Sequence, residues 1–557
     1  EAIFPEATTI GYYVFSGCTS LAKVTFPKIT TVSQYVFSGC ASLSIVSFPK
    51  ATTITSWAFQ NCSSLTEAIF PEATTIGSNA FRNCTSLTEA IFPEATTIGS
   101  NAFQNCASLT EAIFPEVTEI GESEFFGCTS LSEATFLKLQ SVPYWCFNGK
   151  SRLTKISFPE ARTIGDYAFY GCTSLTEAIF PKAATISFDA FRNCESLSIA
   201  SFPEATTIGS SAFQNCGSLT EVSFPEVTTI GSYAFYNCAS ISIASFPKVT
   251  GIYESAFAGC ASLTEAIFPE ATYLGYYTFS GCTSLSIASF PKVTTISFFS
   301  KLNNVFNGCS LLTEVTFLEL TKIPRGPFSG KPRLTKISFP KATTINNFAF
   351  QSCTSLTEAI FPEVTAIGDD AFAGCKSLYI ASFPKVTTIT SWAFQNCSSL
   401  TEAHFPNVTA IGYGAFSGCT SLSVVSFLKI TTIENYAFQN CTSLTEAAFP
   451  EITTIGYSAF SGCTNLSRLN LSPNANLSQG DLPSHTDYYL IGSTPTGIGG
   501  TWPSTITFHV KSSLYAAQVR NMAEHRTWYR LVIDDDFDEA ESESEGEEEA
   551  LDGAGES

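Results

Sequence analysis

Apolar residues recur along the chain at a constant phase. A Phe followed by Pro or Leu stands at Phe4, Phe26, Phe48, Phe70 and onward to Phe449, every 22 residues, with one longer step between Phe290 and Phe317. Residues 62 to 83 show the whole unit: Leu65, Ala68 and Phe70 alternate with polar neighbours over the last steps, which predicts a short strand with one face inward. Pro71 ends that strand because it has no N–H to donate. Ile76, Ala80 and Phe81 form a second inward set, predicted to fill the space between the strand and the return of the chain. A unit this short cannot bury its own apolar face, so it needs a neighbour on each side. The pattern therefore predicts a repeat solenoid of about 21 units. It is expected to be a right-handed coil with one continuous parallel β-sheet face, and with short turns or helical turns on the return side.

The residue before the Cys of each unit is Gly or Asn, as in Gly17, Asn61, Gly171 and Asn396, with Ser352 as the exception, and this predicts a left-handed backbone position. Nineteen of the 20 Cys occupy one phase, from Cys18 to Cys463; the other, Cys146, belongs to the unit that carries Lys150 at that phase. Equivalent side chains on successive turns point the same way, and there is no C-x-x-C pair, so buried reduced thiols are expected rather than disulfides or metal sites. The array is expected over residues 1–472, with a five-residue insertion near 298–304 bulging from the return side, a closing region over 473–533 and a disordered acidic tail over 534–557.

Charge changes the picture in one place. Charged residues make up only 14% of the chain, and the net charge of −21 is concentrated at the C-terminal end, where residues 534 to 557 hold 13 acidic and no basic side chains. This argues against nucleic acid as a partner. Mean hydropathy is +0.16, yet Pro, Glu, Lys and Gly interrupt every apolar run, so no transmembrane segment is predicted. The chain begins in mid-unit without Met, a charged leader or an apolar leader, which suggests a truncated or processed product whose targeting signal would be missing.

Both halves of the unit, Leu87-Thr-Glu-Ala-Ile-Phe-Pro93 and Ile98-Gly-Ser-Asn-Ala-Phe-Gln-Asn-Cys106, resemble the BspA-like leucine-rich repeats. The resemblance covers residues 1 to 472 and rests on some eight positions recurring in phase. Residues 508 to 533 also resemble the strand, helix, Trp and strand segment that closes many such arrays, implying a small C-terminal cap. It implies a leucine-rich-repeat coil and a surface or secreted adhesion protein of the kind found in bacteria and parasitic protists, binding a host, matrix or cell-surface protein. This sequence departs from the family in its 22-residue period, against the usual 23, and in its acidic tail.

Positions three and one before the Phe are predicted to point outward and form the variable face. Its candidate partner-binding residues are Glu67, Ile69, Glu89, Ile91, Glu111, Ile113, Glu177 and Ile179. Two readings stand for the mixture of Glu with Ile and Lys units: interleaving relieves repulsion between like charges on adjacent strands, or the Glu and Ile stripe is a docking surface. Two units, 181 residues apart, replace the Cys with a Gly-Lys step and give candidate basic spots at Lys150, Arg152 and Lys155 and at Lys331, Arg333 and Lys336. Either a duplicated block or paired contacts for an acidic ligand explains them. Gly149-Lys150-Ser151 lacks the upstream Gly of a phosphate loop. Four His, none in a ligand or catalytic motif, leave no catalytic residue, no metal site and no cofactor to propose.

The function expected is therefore a non-enzymatic binding scaffold, monomeric, at a cell surface or secreted. The alternatives are a cytoplasmic interaction scaffold whose acidic tail recruits a basic partner and, as a minor one, an ice-binding-like Thr ladder built from pairs such as Thr74 and Thr75.

Overall fold

In a computed structural model of the chain, residues 2–297, 305–472, 475–477, 486–490, 507–510 and 530–533 are described. They fall into two compact units, Glu1–Leu312 and Thr313–Ser557. The insertion near 298–304 and the acidic tail lie outside the described residues. Among the described residues every regular element is a β-strand.

In the first unit most repeats contribute two strands, while the repeats of Ala2–Ile3 and Glu111–Ile113 contribute only the first. Glu67–Ile69 and its equivalents form the outward face predicted from the alternation, and Thr75–Ile76 and its equivalents form a second, narrower ladder on the return side. Both ladders are parallel and in register at one repeat per step, with Glu89 opposite Glu111 and Thr75 opposite Thr97. Two-residue strands therefore accompany the short turns expected on the return side. The second unit repeats this design and extends it. Arg468–Leu471, Asp487–Leu490, Thr507–Val510 and Arg530–Ile533 are successive parallel neighbours, so the two strands expected in the closing segment are present. The helix expected between them lies outside the described residues.

The core is a pair of interleaved Phe columns. Phe147 stacks on Phe169 at 5.3 Å and Phe169 on Phe191 at 5.1 Å, while Phe169 meets Phe180 of the other column edge-on at 5.9 Å and 62°. Offset stacking along a column and edge contacts between columns satisfy the ring quadrupole in both directions, adding about 0.5–1.5 kcal/mol per pair beyond the burial itself. Ala168 and Ala190 are buried beside them; no larger apolar side chain is needed because the rings of successive turns already touch.

All the Cys but Cys146 occupy one column, buried from Cys40 onward, and all 20 are free thiols. From Cys40 onward each thiol of this column donates to the carbonyl of a Phe on the preceding turn, as Cys62 Sγ does to Phe37 O at 3.1 Å and Cys238 Sγ to Phe213 O at 3.0 Å. Burial pushes the Cys128 and Cys238 thiols up to about 12, far from the thiolate range that makes a Cys reactive.

The Gly/Asn position is left-handed as predicted, from Gly17 at φ 71° and Asn61 at 62° to Ser352 at 60°. In the Asn units the side chains form an amide ladder, with Asn83 donating to Asn61 at 2.7 Å and Asn105 to Asn83 at 2.9 Å. Where the next turn has Gly, the carboxamide lies over its Cα: a Cβ on Gly127 would sit 2.2 Å from Asn105 Oδ1. A second left-handed position, four residues earlier, escaped the sequence reading because it is filled by Tyr13, Tyr35, Trp57, Asn79, Asp189 and other unlike residues. Their side chains range from the exposed Tyr13 to the buried Asp189, so the backbone constrains φ without constraining residue type.

Candidate binding face

The geometry of the outward face follows from the strand pleat. In Glu89–Ile91 the central Ala90 is buried while Glu89 and Ile91 are exposed, and elsewhere on the ladder the outward residues are exposed or half-buried, as in Glu111–Ile113. Register places Glu89, Glu111 and Glu133 directly opposite one another, followed by Lys155 and then Glu177. Ile91 and Ile113 are neighbours in the second outward column.

Two charged columns border this face and behave differently. In the column just after the Pro, most of the charges pair between neighbouring turns. Lys248 Nζ lies 2.6 Å from Glu226, Lys292 2.6 Å from Glu270 and Lys385 2.7 Å from Glu363; Lys50–Glu72 and Lys138–Glu116 pair in the same way. On the strand face, Lys155 reaches Glu177 at 3.5 Å and Lys336 reaches Glu314 at 3.5 Å. Among the described residues, Glu67, Glu89, Glu111 and Glu133 have no ion-pair partner in the chain. Glu177 thus differs from the other candidate carboxylates in being neutralised by Lys155; it and Ile179 are half-buried, as are Glu111 and Ile113.

The candidate basic spots divide. Arg152, Lys155, Arg333 and Lys336 are exposed. Lys150 and Lys331 are not: they are 2% and 3% exposed, and Nζ donates to Asn148 O at 2.8 Å and to Ser329 O at 3.0 Å respectively. These two lysines therefore present no charge to a ligand, a correction to the sequence reading. They take the inward slot of the Cys column, and a long aliphatic stem fills it while a main-chain carbonyl satisfies the amine. Burial lowers the Lys150 amine below its ordinary value.

A second buried ionisable group was missed. Glu124 is 0% exposed and stands where neighbouring turns carry Ala102 and Cys146. Its Oε1 accepts from Phe103 N at 3.1 Å, and Oε2 has no partner. Burial raises the carboxyl to about 8, against the smaller opposing pull of the N–H groups of Phe103, Ala102 and Asn101. The departure from Ala at that phase was the available signal.

The strand-face ladder is interrupted. No main-chain pairing joins Glu67–Ile69 to Glu89–Ile91, although the return strands Thr75–Ile76 and Thr97–Ile98 of the same two turns stay paired. The stacked rings at this step, Phe70 and Phe92, are 6.2 Å apart, against 5.3 Å for Phe48 and Phe70. The first unit opens in the same way after Ile199–Ser201 and after Ile243–Ser245, and the second after Lys336–Ser338 and after Glu402–His404. At each opening the central side chain, Ala68, Ala200, Ala244, Ile337 or Ala403, is half-buried rather than buried. The first opening forms a cleft of about 630 Å³ lined by Thr66, Glu67, Ala68, Phe70, Glu89 and Ile91. Ile69 and Ile91 beside it are 39% and 42% exposed.

The Thr pairs have a structural use: Thr74 Oγ1 donates to Thr52 O at 3.2 Å and Thr96 Oγ1 to Thr74 O at 3.3 Å. The hydroxyl proton of the first Thr of each pair is thus spent along the stack. On the return side Tyr13, Tyr35 and Trp57 stack at 4.7 and 5.1 Å, a column the sequence reading did not single out although Tyr and Trp recur at that phase. Among the described residues no three His, Cys, Asp or Glu side chains come together as a metal site, and no helix is long and apolar enough to cross a membrane.

A family model for the BspA type leucine rich repeat region matches residues 1–110, 96–216, 184–303, 301–401 and 365–479. Among curated proteins none matches. Similar solved structures include a leucine-rich repeat protein from Bacteroides ovatus, 20% identical over 84% of this chain and 82% of that one, with a TM-score of 0.22. A leucine rich cell surface protein from Faecalibacterium prausnitzii is 21% identical over 81% and 87%, with a TM-score of 0.22. The pneumococcal vaccine antigen PcpA is 16% identical over 68% and 87%, with a TM-score of 0.27.

Proposed function

We propose that this chain, which belongs to the BspA-type leucine-rich repeat family, is a non-enzymatic scaffold that binds a protein ligand on its strand face, at a cell surface or after secretion. One observation carries the choice of face. The chain supplies Lys partners for most of the Glu column after the Pro, yet leaves the successive Glu67, Glu89, Glu111 and Glu133 without one, beside exposed Ile69 and Ile91. Carboxylates stacked one repeat apart repel one another, so a run of them that the chain does not neutralise favours a cationic surface from outside. Apolar side chains in the next column supply the desolvated contact that holds such a surface.

The test is binding of the full chain to extracellular-matrix and cell-surface proteins, comparing the parent with Glu67→Lys, Glu89→Lys and Glu111→Lys combined. Affinity is expected to fall by at least about tenfold. Unchanged affinity for every ligand that binds the parent refutes the strand face as the docking surface.

A further inference from the structure

We propose that the cleft between the strands Glu67–Ile69 and Glu89–Ile91 is the anchor point of the strand face, and that it takes an arginine side chain from a partner polypeptide. The inference rests on the strand-face reading above. Its first support is that the ladder is parted there on one side only. The return strands remain in register while the outward strands lose their main-chain pairing, so the cleft opens toward the face rather than severing the coil. A single side-chain bond crosses it, from Thr88 Oγ1 to Thr66 O at 3.3 Å.

The second support is the chemistry of the walls. Four similar openings exist among the described residues, and the outward residues flanking them are Ile199 and Glu221, Ile243 and Glu265, Lys336 and Glu358, and Glu402 and Val424. Only the first opening is flanked by two carboxylates, Glu67 and Glu89, and neither has a cation from the chain. Below them the floor is apolar, formed by the half-buried Ala68 and by Phe70, with Ile91 at the side. A space that is apolar at its base and doubly anionic at its mouth suits a side chain with an aliphatic stem and a cationic end. The guanidinium meets two carboxylates better than an ammonium does, because its planar fork offers donors along two edges. The carboxylates of Glu111 and Glu133 continue the column by one repeat each and steer a basic partner toward the anchor.

The experiment uses the full chain and a short fluorescein-labelled peptide with one Arg between two Leu, against the same peptide with citrulline, the uncharged isostere. The Arg peptide is expected to bind at least about tenfold more tightly, and that preference is expected to vanish in Glu67→Gln/Glu89→Gln. Ala68→Leu, which fills the floor, is expected to weaken the Arg peptide similarly, whereas Glu221→Gln at the next opening leaves it unchanged. Equal affinity for the two peptides, or full affinity of the Gln pair, overturns the proposal. The Gln pair changes only exposed side chains, so it decides the matter even where Ala68→Leu disturbs folding. If the cleft variants have no effect while the triple Lys variant still loses its matrix ligand, the anchor is wrong and the strand-face reading stands. Retention of that ligand by the triple Lys variant refutes the reading itself.

Discussion

The turns from residue 168 to 260 and the turns from 124 to 150 follow one backbone path but fill it differently. In the first stretch the two small inward columns hold Ala168, Ala190, Ala212, Ala234 and Ala256 and Cys172, Cys194, Cys216, Cys238 and Cys260, all buried. In the second, Glu124 replaces an Ala and Lys150 replaces a Cys, and both are buried as well. The comparison shows that this coil can admit an ionisable group wherever a main-chain partner is at hand. Phe103 N serves Glu124 and Asn148 O serves Lys150. The neighbouring Phe columns run through both stretches without interruption, so the ring stacking holds the path while the polar group is accommodated. The accommodation is incomplete for Glu124, whose second oxygen has no partner.

The comparison can be broken first at the rings. Phe191→Ala, in the regular stretch, removes a side chain that contacts both Phe columns, and is expected to cost about 3–5 kcal/mol in denaturant unfolding. A loss no larger than that of an exposed substitution contradicts the role given to the columns.

The next effect sharpens the contrast between the stretches. Glu124→Ala restores the regular side chain and is expected to stabilise the first unit by about 3 kcal/mol at pH 7. The sign follows from linkage. The folded chain holds the Glu124 proton up to about pH 8, against 4.5 for an ordinary carboxyl, so the unfolded chain releases it first as pH rises. Glu124 therefore makes stability fall across pH 4.5 to 8, a slope that Glu124→Ala removes. Identical pH profiles for the two proteins, read by thermal unfolding, contradict the buried carboxyl.

The smallest effect is expected at the exposed border. Lys248→Ala breaks the bridge to Glu226, both side chains of which are about half exposed, and is expected to change stability by less than about 0.5 kcal/mol, less again at high salt. A larger loss would mean that the paired column holds the coil together rather than merely neutralising it.

Much of this was legible from periodicity. The inward Phe, Ile, Ala and Cys phases, the outward Glu and Ile phases, the parallel register and the left-handed Gly/Asn position each depend on one residue type recurring at one phase. Residues that break phase were read less well. Lys150 and Lys331 were placed outward because a Lys is ordinarily exposed, and Glu124 was passed over among Glu116, Glu119 and Glu122. The second left-handed position was hidden because its side chains, from the exposed Tyr13 to the buried Asp189, share no chemistry.

The candidate site was legible only as a stripe. The alternation of Glu and Ile identified the columns, but it assigned Glu177 the same standing as Glu67, and the two differ by the Lys155 bridge. By itself, then, the sequence determined the repeat length, the main inward and outward columns and hence the coil, because burial at a constant period needs only the order of apolar and polar residues. The tertiary structure alone decided which carboxylates are neutralised, which lysines turn inward and where the strand ladder parts. Those outcomes depend on distances between side chains and main chains one repeat away, and near-identical repeats such as Glu67–Ile69 and Glu111–Ile113 can differ in them while sharing every letter.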